Sequence, residues 1–175
     1  MSAGMSRRVV IIGVSVGMAF LLTSAAGLHP LIVWNATASA PIGFYRLQPA
    51  GERPLMNGEL ILVWPDATSA QLYAERGYLP LGVPLLKRIA ATSGQIVCEQ
   101  EGMVSIDGRH VADALPADGR RRPLIPWRGC RPLRDDEVFL LMADVPASLD
   151  GRYLGPTSVG SVLGRATLLW AAGAR

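Results

Sequence analysis

Lysine is all but missing from this chain of 175 residues. Lys87 is the only one, and sixteen arginines supply the remaining basic charge. Histidine is scarce too, with only His29 and His110, and cysteine occurs only at positions 98 and 130. These four residues are scattered without ligand spacing, so no metal site is expected. The shortage of histidine also argues against a histidine-based triad: His29 abuts a long apolar run, His110 follows a tight turn, and no Gly-x-Ser-x-Gly elbow is present. Aromatic residues make up only 6% of the chain and none interleaves with its one basic cluster, Arg120-Arg121-Arg122. With a net charge of only +3, that loop reads as a solvated face, and no nucleic-acid partner is expected. No repeat or low-complexity tract is present, and no cofactor is expected.

Acidic residues are absent before Glu52, and from Val9 to Leu28 there are no charges at all. Those twenty residues are enough to cross a hydrocarbon core. Arg7 and Arg8 precede them, which places the N-terminus in the cytoplasm and the rest on the far side. A cleaved signal peptide is the alternative, since Ser24, Ala25, Ala26 and Gly27 close the run with small residues. The expected division is residues 1–28 as a cytoplasmic tip with its anchor or signal segment, and 29–175 as an exported domain. In an exported domain an even pair of cysteines reads as a disulfide, Cys98 with Cys130; two free buried thiols are the alternative.

Beyond Leu28, residues 29–40 read as an extended connector. Short apolar runs then alternate with turn signals. Strands are expected at Gly43–Leu47, Glu59–Trp64, Leu85–Ala91, Gln95–Glu99, Glu137–Ala143 and Val162–Trp170. Asp107-Gly108, between Val104–Ile106 and His110–Ala112, signals a two-residue hairpin. Residues 114–132, rich in proline and arginine, read as a long loop. Asp66–Arg76 is the one plausible short, peripheral helix in this part of the chain, capped by Asp66 or Ser69 and ended by Gly77. An all-β domain, closed or sandwich-like, is therefore expected.

Lys87 sits in Leu85-Leu86-Lys87-Arg88-Ile89-Ala90-Ala91. Drift from lysine to arginine would leave a single lysine by accident. The chemical reading is that arginine keeps its proton, whereas a lysine among apolar neighbours can lose its own and act as a base. Ser39 lies in Thr37-Ala38-Ser39-Ala40-Pro41-Ile42-Gly43-Phe44-Tyr45, where proline and glycine stiffen and turn the backbone. A nucleophilic serine needs such a fixed approach line and a nearby backbone N–H. It also falls only about ten residues past the apolar segment, close to where membrane-embedded targets would be met. A third segment, Ala143 to Pro156, sets polar groups at close spacing after a strand.

In order, these segments resemble the type I signal peptidase family of serine–lysine proteases, and within it the conjugative-transfer, TraF-type branch. Thr37–Tyr45 is similar to the nucleophile box, Gly58–Val63 to the strand box after it, Leu86–Ala91 to the general-base box, and Ser148–Pro156 to the last box. The likeness runs through essentially the whole chain. It departs where the base box continues Ser93-Gly94-Gln95 instead of Pro-Gly-Asp, and where the last box reads Asp150-Gly151-Arg152 instead of Asp-Ser-Arg.

The resemblance implies Ser39 as nucleophile with its own N–H in the oxyanion hole, Thr37 as an added hydroxyl donor there, and Lys87 as general base. It implies that Ser148 holds the lysine amine, that Asp150 and Arg152 form a structural ion pair near the site, and it supports the cysteine pairing. It further implies a signal-peptidase-like sheet fold and a serine endopeptidase of the bacterial inner membrane. Its domain would face the periplasm, or be soluble there if the N-terminal segment is cleaved. The substrates would be membrane-embedded precursors, pilin-like subunits of a conjugative or type IV secretion system, with hydrolysis or cyclisation as the outcome. A non-catalytic assembly or binding module on the same fold and a general type I signal peptidase are the alternatives.

Overall fold

The computed structural model describes residues 32–173. The apolar run Val9–Leu28 lies outside them. Among the described residues no helix is long and apolar enough to cross a membrane.

The described residues form antiparallel β-structure in two sheets. The larger contains β1 (Ile32–Asn35), β2 (Gly43–Gln48), β3 (Leu60–Val63), β4 (Leu85–Ala91), β9 (Glu137–Leu140), β10 (Thr157–Ser158) and β11 (Val162–Ala171). Their order is β1-β2-β11-β3-β4-β9-β10. The smaller contains β5 (Ile96–Gln100), β6 (Met103–Ile106), β7 (Arg109–Asp113) and β8 (Gly129–Pro132), in the order β7-β6-β5-β8. Two α-helices, α1 (Ala67–Glu75) and the single turn α2 (Gly151–Leu154), and a 3-10 turn over Val159–Ser161 complete the fold.

Side-chain alternation explains the layers. In β2, Tyr45 and Leu47 point into the core while Phe44, Arg46 and Gln48 face out, the pattern of a half-buried strand. In β3 both faces are covered: Leu62 joins Tyr45, Leu86 and Met142 in one apolar cluster, whereas Ile61 and Val63 join Ile89, Val138 and Leu140 in another. A third cluster, including Val97, Val104, Leu133 and Phe139, gives the smaller sheet its core. Gly43 starts β2 where β11 crosses close, and any Cβ there would run into the Trp170 carbonyl. The glycine of the Ser-x-Pro-x-Gly box thus serves strand packing.

Asp107 and Gly108 both take positive φ, as the expected hairpin between β6 and β7 requires. Asp66 caps α1 by accepting from the Ser69 N–H, and Gly77 follows its end at φ +64°. Four elements differ from the sequence expectation. The connector over residues 29–40 contains β1, the long loop ends in β8, α2 lies in the third segment, and β10 directly follows that segment. β1 and β10 are edge strands and β8 borders the smaller sheet, so each pairs on one side only and needs little apolar patterning of its own. Nor is α1 purely peripheral, since its Tyr73 is buried and its hydroxyl donates to the Leu149 carbonyl.

Cys98 on β5 and Cys130 on β8 are register partners joined by a disulfide spanning 32 residues of sequence. A loop of that size stabilises by roughly 3–4 kcal/mol through the unfolded chain. The double variant Cys98→Ala/Cys130→Ala should therefore unfold at markedly lower denaturant, measured by urea titration. It should keep its activity, because neither cysteine lines the cavity described next.

Candidate active site

Ser39 sits in the turn between β1 and β2, and the last residue of β1 builds that turn. Asn35 is buried at 8% exposure with every polar atom of its side chain in use. Its Nδ2 donates to the carbonyls of Thr37 at 2.9 Å, Ala40 at 3.1 Å and Pro41 at 3.2 Å. Its Oδ1 accepts from the Thr37 N–H at 3.1 Å and lies 2.8 Å from the Thr37 hydroxyl. A turn closed by an asparagine side chain on the N–H two residues ahead is a common Asx arrangement. Tyr45, fully buried on β2, adds a bond from its hydroxyl to the Pro41 carbonyl at 2.7 Å. Ser39 is half-buried, and its Oγ lies 3.1 Å from Thr37 Oγ1.

Lys87 lies on β4 opposite Ile61 of β3, between Leu86 and Arg88. Only 5% of it is exposed, and its Nζ donates to Ser148 Oγ at 2.8 Å. Burial pushes the amine down to about 8. The nearby Asp150 carboxylate opposes that shift and the Arg152 guanidinium adds to it.

Ser148 belongs to a loop held by a buried ion pair. Asp150 and Arg152 are each 1% exposed, with Arg152 Nε 2.9 Å from Asp150 Oδ1 and Nη2 2.9 Å from Oδ2. Asp150 also accepts from the Met142 N–H at 3.0 Å. The other guanidinium protons reach loop carbonyls, including those of Val145 at 2.8 Å, Pro146 at 3.1 Å and Ser148 at 3.2 Å. The pair is thus the internal brace of the loop that presents Ser148 to the amine.

One cavity of about 600 Å³ brings these parts together, with Thr37, Ser39, Lys87 and Ser148 all in its wall. Val33, Leu62, Leu86 and Val145 make much of the rest apolar, and Tyr73, Tyr78 and Asp118 also line it. Ser39 and Lys87 share this wall but are not bonded directly: the serine contacts Thr37 and the amine contacts Ser148. Asp150 and Arg152 stand behind the loop, and the cysteines belong to the smaller sheet. Arg122 of the basic run is engaged rather than solvated, bonded to Asp118 at 2.7 Å and stacked on Tyr78. Among the described residues no cluster could hold a metal ion.

Two residues of the site escaped the sequence reading. Asn35 was hidden in the connector, where Asn35-Ala36-Thr37 reads as loop composition; the Asx spacing to Thr37 was its one signal. Tyr73 was hidden in a helix with weak amphipathic pattern, and nothing in the sequence marks its approach to Leu149.

The family described as "Signal peptidase, peptidase S26" matches residues 5–171. A probable conjugal transfer protein TraF from Sinorhizobium fredii is 37% identical over 141 residues, covering 75% of this chain and 73% of that protein. A plasmid transfer protein TraF from Escherichia coli is 31% identical over 166 residues, covering 88% of this chain and 92% of the relative. Among solved structures, a signal peptidase I from Enterococcus faecalis aligns with a TM-score of 0.39 at 18% identity, over 66% of this chain and 98% of that one. With a family match spanning nearly its full length and relatives above 30% identity over most of theirs, the chain belongs to the signal peptidase family, peptidase S26.

Proposed function

We propose that this protein is a serine endopeptidase that removes signal peptides from exported precursors, with Ser39 as nucleophile and Lys87 as general base. The observation that carries this reading is the state of Lys87: a buried amine, held near 8, in the same cavity wall as Ser39. At pH 7 about one such amine in ten is neutral, against about one in three thousand at the ordinary lysine value. Burial therefore raises the supply of usable base by more than two orders of magnitude.

In this mechanism the Ser39 hydroxyl turns toward Lys87, gives its proton to the neutral amine and bonds to the scissile carbonyl carbon. The carbonyl π electrons move to oxygen, where the Ser39 N–H meets the negative charge. Collapse re-forms the carbonyl and breaks the C–N bond, and the ammonium returns the proton to the departing amine. Lys87, neutral again, next removes a proton from water as it attacks the ester; collapse breaks the bond to Ser39 Oγ, which takes that proton from the ammonium, freeing the acid and restoring serine and neutral amine. Ser39 is acylated by the segment on the N-terminal side of the cut, so where the cut removes a C-terminal tail, the free N-terminal amine of that segment can attack the ester instead of water, releasing Ser39 and a cyclic product. Ser148 holds the amine in line throughout, and the apolar cavity wall suits small residues before the cut.

The conjugal-transfer names of the relatives favour pilin-like precursors of a transfer system as substrates. A site on the periplasmic face of the inner membrane accords with the charge-free run before the domain. It also accords with an exposed aromatic group beside the cavity: Trp34, Phe44 and Trp170, with ring centroids 4.8–6.4 Å apart. Rings of that kind favour a membrane–water interface.

The test is incubation of the purified full chain with a candidate pre-pilin, read by intact mass. Loss of the leader mass is expected; a cut that instead removes a C-terminal tail would leave a remainder whose linear and cyclic forms differ by 18 Da (one water). A folded protein that returns the precursor unchanged would favour the assembly module. The pH dependence gives a second check. Because the base must be neutral, kcat/KM should rise nearly tenfold per pH unit below about 8 and level off above it. A profile still climbing at pH 10 would contradict an amine of that pKa.

A further inference from the structure

We infer that Arg120 and Arg121, at the tip of a loop that forms part of the cavity wall, are a subsite for an acidic residue of the precursor near the cut. The subsite rests on the proposed reading of the cavity as the substrate cleft and goes beyond it, by adding a charge requirement.

Asp118 organises the loop. Its N–H donates to the Arg122 carbonyl at 3.0 Å, and its carbonyl accepts from the Arg121 N–H at 2.9 Å. Its Oδ1 accepts from the N–H groups of Arg120 at 2.8 Å and Arg122 at 2.9 Å. Its Oδ2 accepts from Arg122 Nε at 2.7 Å and from the Tyr78 hydroxyl. The loop is also fastened to the end of α1. Arg122 Nη1 donates to the Arg76 carbonyl at 2.9 Å, and Arg76 Nη1 donates to the Pro123 carbonyl at 2.8 Å.

Three features set this tip apart from an ordinary solvated face. First, it borders the site: Asp118 and Gly119 share the cavity wall with Ser39 and Lys87. A Cβ built on Gly119 would meet nothing within 4 Å, so the space beside the tip is open. Second, its charge is unbalanced. Residues 118–122 hold one carboxylate and three guanidiniums, and Arg122 is spent on that carboxylate. Arg120 and Arg121 are exposed, and among the described residues neither has an acidic partner. Third, the backbone is held in an uncommon shape. Arg121 takes φ +60°, which a non-glycine residue keeps only where its surroundings impose it. Guanidiniums suit a carboxylate by shape, and a fixed backbone loses little freedom on meeting one.

A cavity of about 600 Å³ spans on the order of 10–20 Å, or about three to six residues of extended chain. The acidic residue therefore lies within about six residues of the scissile bond. An anionic lipid headgroup is the other partner two arginines could take; the place of the tip beside the substrate cavity favours the peptide.

The test is binding to the full-length Ser39→Ala protein in neutral detergent. Labelled peptides span the cut of a candidate pre-pilin and carry Glu, or Gln in its place, at each of about six positions on either side. An exposed ion pair changes an equilibrium by up to about fivefold. At one position or more, Glu should therefore bind about fivefold tighter than Gln, and less so at high salt. Arg120→Gln/Arg121→Gln should bring that ratio to about one, and Arg120→Glu/Arg121→Glu should favour Lys at the same position. Arg109→Gln/Arg134→Gln removes the same charge outside the cavity wall and should keep the ratio. Equal binding of Glu and Gln peptides at every position would overturn the inference, as would an equal loss in the remote pair. So would an effect of the tip arginines that appears only with phosphatidylglycerol vesicles. Processing of the same peptides by the parent protein separates the two levels. Cleavage with no charge preference in binding sinks this inference and leaves the proposed function standing. Charge-selective binding without cleavage sinks the proposed function and leaves the tip as a peptide subsite, and neither binding nor cleavage sinks both.

Discussion

Lys87→Arg is expected to abolish precursor processing, with a loss of about 10³-fold or more in kcat and a native fold. The guanidinium keeps its proton at any working pH, so the variant retains the positive charge and loses the base. Residues that act as one unit lose most of the rate when either is removed, so Ser39→Ala should fall as far and the double variant no further. Lys87→Met separates chemistry from stability. It should be just as inactive, yet more stable than the parent at neutral pH. The sign follows from linkage: the amine is held at about 8 when folded and near 10.5 when unfolded. Between those values the unfolded chain binds more protons, so stability rises with pH across that window, and below about 8 the folded protein carries the full cost of the buried charge. That cost is on the order of 3 kcal/mol. The advantage of Lys87→Met in denaturant titrations should be largest near pH 7 and fade toward pH 10. Parental processing by Lys87→Arg would rule out the serine–lysine pair.

Arg152→Met is expected to destabilise the domain by about 3–5 kcal/mol, the range for removing one member of a buried ion pair. The change strands the Asp150 carboxylate and several loop carbonyls that Arg152 now serves. A second readout distinguishes this from simple loosening. Arg152 helps hold the Lys87 amine down while Asp150 pulls it up. With the guanidinium gone and Asp150 unopposed, the pH at which activity levels off should move above 8 in whatever folded fraction remains. Asp150→Asn removes the upward pull and should move it the other way. Denaturant titration and the pH profile of kcat/KM measure the two effects; an unchanged midpoint in both variants would show that the pair does not act on the amine.

Some of these parts stand out in the sequence and others do not. Lys87 was visible because it is singular, and its strand because Leu85–Ala91 is apolar and lies between turn signals. The hairpin at Asp107-Gly108 was visible because both positions need positive φ, which few residue pairs tolerate. β1 and β8 were not visible because each borders its sheet, pairs on one side and alternates poorly: Ile32–Asn35 ends in a polar residue, and Gly129–Pro132 is Gly-Cys-Arg-Pro. For the same reason the role of Asn35 stayed hidden. In sequence it is one more loop asparagine; only the return of the chain through β2 brings the Ala40 and Pro41 carbonyls back to its amide. The depth of Asp150 and Arg152 was equally illegible, since two charged residues in a polar segment read as a surface pair until α2 and the preceding loop close over them.

The central claim is that the amine of Lys87 is buried and readily neutral. The chain has a single lysine, so labelling lysine with ¹³C at Cε places one side-chain resonance in the spectrum. Its chemical shift, followed against pH in the folded protein, reports that amine alone. A midpoint near 8 that returns to the ordinary value on unfolding is the predicted result. A midpoint near 10.5 in the folded protein would mean an amine that stays charged at working pH, and would contradict the account.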